Sequence, residues 1–134
     1  MQTTQSPGRP AGPRSFDACL MGQIEVFGTL YPYSNYMVAP EEVIPAYGWS
    51  YAAWLGQLAQ NPTMDGSGVA SAIVSTYVTN DTYLTEVRAT PDEINQEEST
   101  TTLSAIESAR VPDVIGAMNQ FVTAMTSIDD GTVA

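Results

Sequence analysis

The segment Ser15-Phe16-Asp17-Ala18-Cys19-Leu20-Met21-Gly22 contains the one cysteine of a 134-residue chain. The apolar residues around Cys19 predict that it stands where a helix begins. The unpaired N–H groups and the dipole of a helix start favour a thiolate, and the same N–H groups can bind an oxyanion. The segment therefore indicates a cysteine nucleophile. The chain contains no histidine, so it lacks the usual general base for such a nucleophile.

A structural role is the alternative for both polar residues of this segment. Cys19 would then be a small buried apolar residue, and Asp17 would cap a helix. Asp17 is unsuited as the base for Cys19, because a neighbouring negative charge opposes formation of a thiolate. A carboxylate two positions before a nucleophile is better suited to bind a cationic side chain. The residues alone leave both interpretations open.

The charge of the chain is strongly negative, with 15 acidic residues against four arginines and no lysine, a net charge of -11. This charge disfavours nucleic acids and anionic membrane surfaces as partners. The negative charge would attract a cationic substrate. The alternative is that it provides only solubility or adaptation to a salty environment. No segment approaches the roughly 20 apolar residues that span a membrane, and the polar N-terminus does not resemble a signal peptide.

The first 15 residues are predicted to form a disordered leader, since residues 5–14 carry three prolines and two glycines. Beyond it, the spacing of apolar residues predicts alternating helices and strands, which indicates an α/β sandwich with a mostly parallel sheet. The predicted helices cover residues 20–31, 51–61, 65–77 and 111–125, and the predicted strands cover residues 36–39, 82–88 and 100–106.

Three blocks of the sequence, in order, resemble one known family. They are Phe-Asp-Ala-Cys-Leu-Met-Gly-Gln-Ile-Glu-Val at 16–26, Tyr-Met-Val-Ala-Pro-Glu-Glu at 36–42, and Gly-Trp-Ser-Tyr at 48–51 followed by Trp54 and Leu55. With them, nearly all of the chain after Ser15 resembles the clostripain family of cysteine peptidases. The resemblance implies a partial caspase-like α/β/α sandwich, formed by residues 16–134 as the second half of a peptidase domain.

The resemblance also implies residue roles. Cys19 would be the nucleophile of an endopeptidase that cleaves after basic residues, Arg in particular, and Asp17 would lie by the pocket for the basic side chain. Glu41 and Glu42 lie in a loop that the family uses near that pocket, although a solvated acidic pair is the simpler alternative. The implied partners are peptides or proteins with Arg or Lys. Members of the family are often secreted by prokaryotes.

The departures from the family concern the histidine and the strand before the cysteine. The family's catalytic histidine, followed by glycine, lies on a strand upstream of the cysteine, and this sequence has no counterpart. The strand that leads into Asp17 is also expected to be missing, because Pro10, Gly12 and Pro13 occupy its place and cannot pair in a central strand.

Three hypotheses about function remain. The chain is a peptidase portion that is inactive alone and needs a histidine-bearing half, or it is a non-catalytic relic or binding module for basic peptides. In the third, it is a mis-delimited product that exposes a sheet edge and a core face. No cofactor is predicted. The acidic loops suggest calcium as a structural ion, but the twelve-residue calcium-loop pattern is absent.

Overall fold

The computed structural model describes residues 12–45, 48–77, 90 and 100–129. The predicted strand at 82–88 lies outside the described residues, as does most of the predicted leader. The strands and helices of the described part are, in chain order, β1 (Arg14–Ser15), α1 (Ile24–Leu30), β2 (Tyr36–Ala39), α2 (Tyr51–Gln60), α3 (Gly66–Thr76), β3 (Ser104–Glu107) and α4 (Val111–Asp129).

Strand β2 lies at the centre of the described sheet, whose order is β1-β2-β3. Successive side chains of a strand point to opposite faces of the sheet, and β2 buries both faces. Val38 belongs to one buried cluster, while Met37 and Ala39 belong to another. The apolar run of this strand therefore contributes side chains to a buried cluster on each face of the sheet.

Helices cover each face of the sheet. On the face of Val38, the buried cluster includes Ile73 of α3, and Trp54 of α2 packs against it. On the opposite face, Phe27 of α1 and Val111 at the start of α4 complete the second cluster. This arrangement is an α/β/α sandwich, so the predicted α/β class is confirmed.

The sheet pairs β1 with β2 in parallel and β2 with β3 antiparallel. The pairing of Arg14 with Met37 and of Ser15 with Val38 differs from the expectation that prolines would remove the strand before Asp17. Proline lacks only its own N–H and is tolerated at the start of a strand. The strand begins directly after Pro13, and two residues of the predicted leader belong to the sheet.

Two elements begin four residues later than predicted. Helix α1 begins at Ile24 rather than at Leu20, whose φ of 61° is left-handed and cannot continue into a helix. Strand β3 begins at Ser104 rather than at residue 100. The hydroxyl of Thr102 instead accepts hydrogen bonds from the backbone N–H groups of Glu41 and Glu42, which follow β2.

Helices α2 and α4 begin where the sequence predicts. Helix α3 begins one residue later than predicted, because Asp65 is its cap and accepts a 2.8 Å hydrogen bond from Gly68 N. Helix α4 packs on the domain through Val111, which is buried, and Ile115. Its other large apolar side chains are about half exposed or more: Val114, Met118, Phe121, Val122 and Met125. Within the described residues, no helix combines the length and apolar character that a membrane span requires.

Candidate active site

The loop that joins β1 to α1 carries Cys19 and is bonded to the chain that follows β2. Leu20 N donates to Glu42 O at 3.1 Å, and Gly22 N donates to Pro40 O at 2.7 Å. The contact at Gly22 is so close that a Cβ there would lie 2.8 Å from the carbonyl carbon and oxygen of Pro40. Glycine at this position therefore lets the loop lie against the neighbouring backbone.

Cys19 is exposed, so the alternative in which it is a buried apolar residue is wrong. Its sulfur lies 3.4 Å from Ile44 N and 3.6 Å from Ile44 O. The N–H of Ile44 donates to the sulfur, and the thiol donates to the carbonyl oxygen. If the thiol lost its proton, the first of these bonds would remain and the second would be lost. The backbone of one residue thus positions the sulfur.

The start of α1 is not at the cysteine. Helix α1 begins at Ile24, five positions after Cys19, and its N-cap residue Gln23 makes no side-chain capping bond. The effect of a helix dipole falls off within the first turn. The prediction that Cys19 stands at a helix start is therefore wrong, and the contact of the sulfur is with the backbone of Ile44 instead.

Leu20, which follows the cysteine, has a strained backbone. Among the described residues it is the one non-glycine residue with positive φ. A side chain in this region costs roughly 1–2 kcal/mol relative to the right-handed conformation. Such strain persists where the surrounding structure imposes it and is common at functional sites. Here the hydrogen bond from Leu20 N to Glu42 O holds the strained turn.

The carboxylate of Asp17 is bonded to the loop that leads into α2. Its Oδ2 accepts a 3.2 Å hydrogen bond from Trp49 N and a 2.8 Å bond from the hydroxyl of Tyr51. Gly48 has a φ of +76°, and a Cβ there would lie 2.5 Å from the same Oδ2. Asp17 therefore does not cap α1; residues 48–51 are shaped around its carboxylate.

The hydroxyl of Tyr51 responds to this environment. Burial raises the pKa of Tyr51, and the hydrogen bond to Asp17 and the negative charge of that carboxylate raise the pKa further. All three causes favour the protonated phenol, which is the form that donates to Asp17. The bond between the two side chains is therefore maintained through the whole neutral pH range.

Glu41 and Glu42 lie directly after β2, next to the cysteine loop. The N–H groups of both donate to Thr102 Oγ1 at 3.1 Å, and Gln23 Nε2 donates to Glu41 O at 3.4 Å. Among the described residues, the hydrogen bonds of this pair are made by backbone atoms. The pair thus joins the cysteine loop to the segment before β3, and none of the described residues hydrogen-bonds to the two carboxylates.

Two groups of this site were not predicted from the sequence: the backbone of Ile44 and the hydroxyl of Tyr51. Tyr51 belongs to the Gly-Trp-Ser-Tyr block, and the glycine of that block is the available signal of a special backbone. Nothing in the sequence marks Ile44, because its contact with sulfur uses only backbone atoms. Within the part of the chain that the structure describes, no three acidic or cysteine side chains gather as metal ligands.

The comparison with protein families identifies the chain. A family model described as the clostripain family matches residues 15–133. This chain belongs to the clostripain family. The match includes the cysteine loop, β2 and the segment around Tyr51, so the resemblance predicted from the sequence blocks is confirmed. Among curated proteins, none matches this chain.

Two solved structures share the fold of this family member. A clostripain from Bacteroides thetaiotaomicron, in complex with the peptide inhibitor BTN-VLTK-AOMK, is 21% identical with a TM-score of 0.55, and the match covers 83% of this chain and 42% of that one. A cysteine protease of B. fragilis is 18% identical with a TM-score of 0.50, covering 78% of this chain and 40% of that one. The matched part is thus about two fifths of either solved chain.

Proposed function

We propose that this chain is the nucleophile-bearing portion of a clostripain-type cysteine endopeptidase, with Cys19 as the nucleophile and Asp17 as the acceptor of the substrate's basic side chain, Arg preferred. The observation that carries the proposal is the placement of both residues on one exposed loop, each held by a different segment. Ile44 holds the sulfur of Cys19, and Trp49 and Tyr51 hold the carboxylate of Asp17.

The chemistry requires a base that this sequence does not supply. The sulfur of Cys19 attacks the scissile carbonyl carbon, and its proton passes through a base to the leaving amine as the C–N bond breaks. Water then hydrolyses the thioester, releasing the acid and regenerating the thiol. The residue that serves as base in such sites is most often histidine, and the sequence has none. Peptidase activity therefore requires a histidine-bearing segment supplied from elsewhere.

Two features support an incomplete catalytic domain. The solved relatives are more than twice as long as the part matched here. Helix α4 presents five large apolar side chains of which 47–65% is exposed, a patch typical of a surface that another protein segment covers. Both features fit a domain that is completed by further polypeptide.

A reconstitution experiment tests the proposal. The chain is mixed with the histidine-bearing half of a clostripain-family member, and cleavage of an Arg-containing fluorogenic peptide is measured. We expect cleavage by the mixture, none by either part alone, and none when the mixture contains Cys19→Ala. Cleavage that persists with Cys19→Ala, or no cleavage by a mixture in which the two parts form a complex, would contradict the peptidase proposal.

The second candidate function is binding of basic peptides without cleavage. It is favoured by the exposed carboxylate of Asp17, which is fixed in place by groups of this chain alone. This function predicts that an arginyl peptide binds the isolated chain, that Cys19→Ala leaves the affinity unchanged, and that Asp17→Ala abolishes binding. Glu41 and Glu42 are secondary candidates for contacts with such a peptide.

A further inference from the structure

The carboxylate of Asp17 is held through one of its two oxygens. Its two hydrogen bonds from the part of the chain that the structure describes both end on Oδ2, one from Trp49 N and one from the hydroxyl of Tyr51. Gly48 leaves room for this oxygen, since a Cβ at that position would lie 2.5 Å from it. The loop therefore fixes not only the location of the carboxylate but also which oxygen faces inward.

The two basic side chains use a carboxylate differently. A guanidinium binds most tightly as a fork, with one N–H donated to each oxygen, whereas an ammonium is a point charge that is satisfied by one oxygen. A carboxylate has about four lone-pair sites, two on each oxygen. Two donors already occupy Oδ2 of Asp17. With respect to the residues that the structure describes, the open acceptor sites for an incoming cation are therefore on Oδ1.

We infer that Tyr51 is a positioning residue that determines specificity: its hydroxyl occupies Oδ2 of Asp17 and thereby weakens the two-oxygen contact that favours Arg over Lys. The inference rests on the proposed function, in which Asp17 receives the basic side chain. It concerns how strongly that site distinguishes the two cations. Arg still binds more tightly than Lys, but the difference in affinity is smaller than it would be if the hydroxyl of Tyr51 did not bond to Oδ2.

Of the two donors to Oδ2, Tyr51 is the one that a substitution can remove cleanly. The other donor is the backbone N–H of Trp49, a residue buried in the core. Tyr51 is 46% exposed, and its ring lies 5.9 Å from that of Trp54 in a tilted arrangement. Tyr51→Phe keeps the ring and this contact while it deletes the hydroxyl that reaches Asp17.

The test measures binding of two matched ligands to the whole chain. Nα-acetyl-arginine amide and Nα-acetyl-lysine amide are titrated into the protein, and each Kd is obtained from NMR chemical shifts. We expect Tyr51→Phe to raise the ratio of the Lys Kd to the Arg Kd about threefold to tenfold, because a fork to both oxygens becomes available. The matched control is Tyr33→Phe, at a tyrosine of 44% exposure that is not a donor to Asp17, and it leaves the ratio unchanged.

The outcomes separate this inference from the proposed function. If Tyr51→Phe keeps the native melting temperature and leaves the ratio unchanged or shifts it toward Lys, the inference is wrong while the pocket stands. If the native chain binds neither amide, or if Asp17→Asn leaves both affinities intact, the assignment of Asp17 to the basic side chain is wrong and this inference fails with it.

Discussion

The sulfur of Cys19 contacts both backbone polar groups of Ile44, at 3.4 Å from its nitrogen and 3.6 Å from its carbonyl oxygen. Ile44 itself is buried in the core cluster beneath α3. An exposed thiol is therefore aligned by the backbone of a residue whose side chain is fixed by packing. The position of the reactive sulfur therefore depends on the packing of the core around Ile44.

The accessibility of Cys19 predicts rapid modification of the native protein. Because the chain has a single cysteine and it is exposed, we expect one equivalent of thiol to react with Ellman's reagent without denaturant. The rate in the folded state should lie within about tenfold of the rate in the unfolded chain, since access and not unfolding limits the reaction. A reaction that proceeds only in denaturant would contradict the exposed placement.

The close approach at Gly22 predicts a structural cost for any side chain there. Gly22→Ala forces a Cβ to within 2.8 Å of the Pro40 backbone, so we expect a loss of about 1–3 kcal/mol in the free energy of unfolding. Gly56→Ala is the matched control, because nothing lies within 4 Å of its Cβ in α2, and a helical glycine replaced by alanine gains about 0.5–1 kcal/mol. Urea denaturation of both variants checks the pair.

The fit of Gly48 to Asp17 predicts non-additive substitutions. Gly48→Ala is destabilising both through its left-handed φ and through the clash with Oδ2. Asp17→Ala removes the clash but not the strained φ. We therefore expect the double variant to lose less stability than the sum of the two single losses, by about 0.5–3 kcal/mol. Additive losses in a double-mutant cycle would show that the two residues are not in contact.

The bond between Tyr51 and Asp17 predicts a pH effect of known sign. Burial, then the hydrogen bond and charge of Asp17, raise the pKa of Tyr51 above its ordinary value of 10.0. The contribution to stability is thus complete below that value and is lost as the pH rises through the higher pKa of the folded state. Asp17→Asn should lower the pKa of Tyr51, measured by NMR of its ring carbons. Asp65→Asn, which removes the charge of the α3 cap residue instead, should leave it unchanged.

The exposure of α4 predicts that Phe→Ala changes the free energy of unfolding much less in this helix than in the core. Phe121 is 65% exposed, whereas Phe27 in the core is 6% exposed. Phe121→Ala should change the free energy of unfolding by less than about 0.5 kcal/mol, while Phe27→Ala should cost about 3–5 kcal/mol. Equal costs would mean that Phe121 is covered in solution. Sedimentation of the Phe121 variant would then show which assembly had been lost.

Local signals were sufficient for much of the fold. The apolar run of β2 is short and is closed by Pro40, which favours a strand, and Asp65 and Ser67 are both candidate caps for α3, of which the structure uses Asp65. Such signals act over one turn of chain, and they set where an element begins and ends. The same reasoning failed at Leu20, where long-range hydrogen bonding to Glu42 imposes a backbone conformation that the residue itself disfavours.

The candidate site was predictable in part for the same reason. Asp17 and Cys19 stand together in the block at residues 16–26, and the family match includes that block. Their partners lie 25 to 34 residues away in the sequence. Sequence spacing carries no information about which distant backbone or hydroxyl will meet a side chain, so Ile44 and Tyr51 emerged only from the folded arrangement.

The pairing of β2 with β3 has a consequence for how the chain folds. It joins residues 36–39 to residues 104–107, and contacts between such distant parts of a chain form late because a large loop must close first. Helix α4 follows β3 after a single short turn, Ser108–Arg110. We therefore expect strand and helix to dock together as a late cooperative unit and to open early in hydrogen exchange.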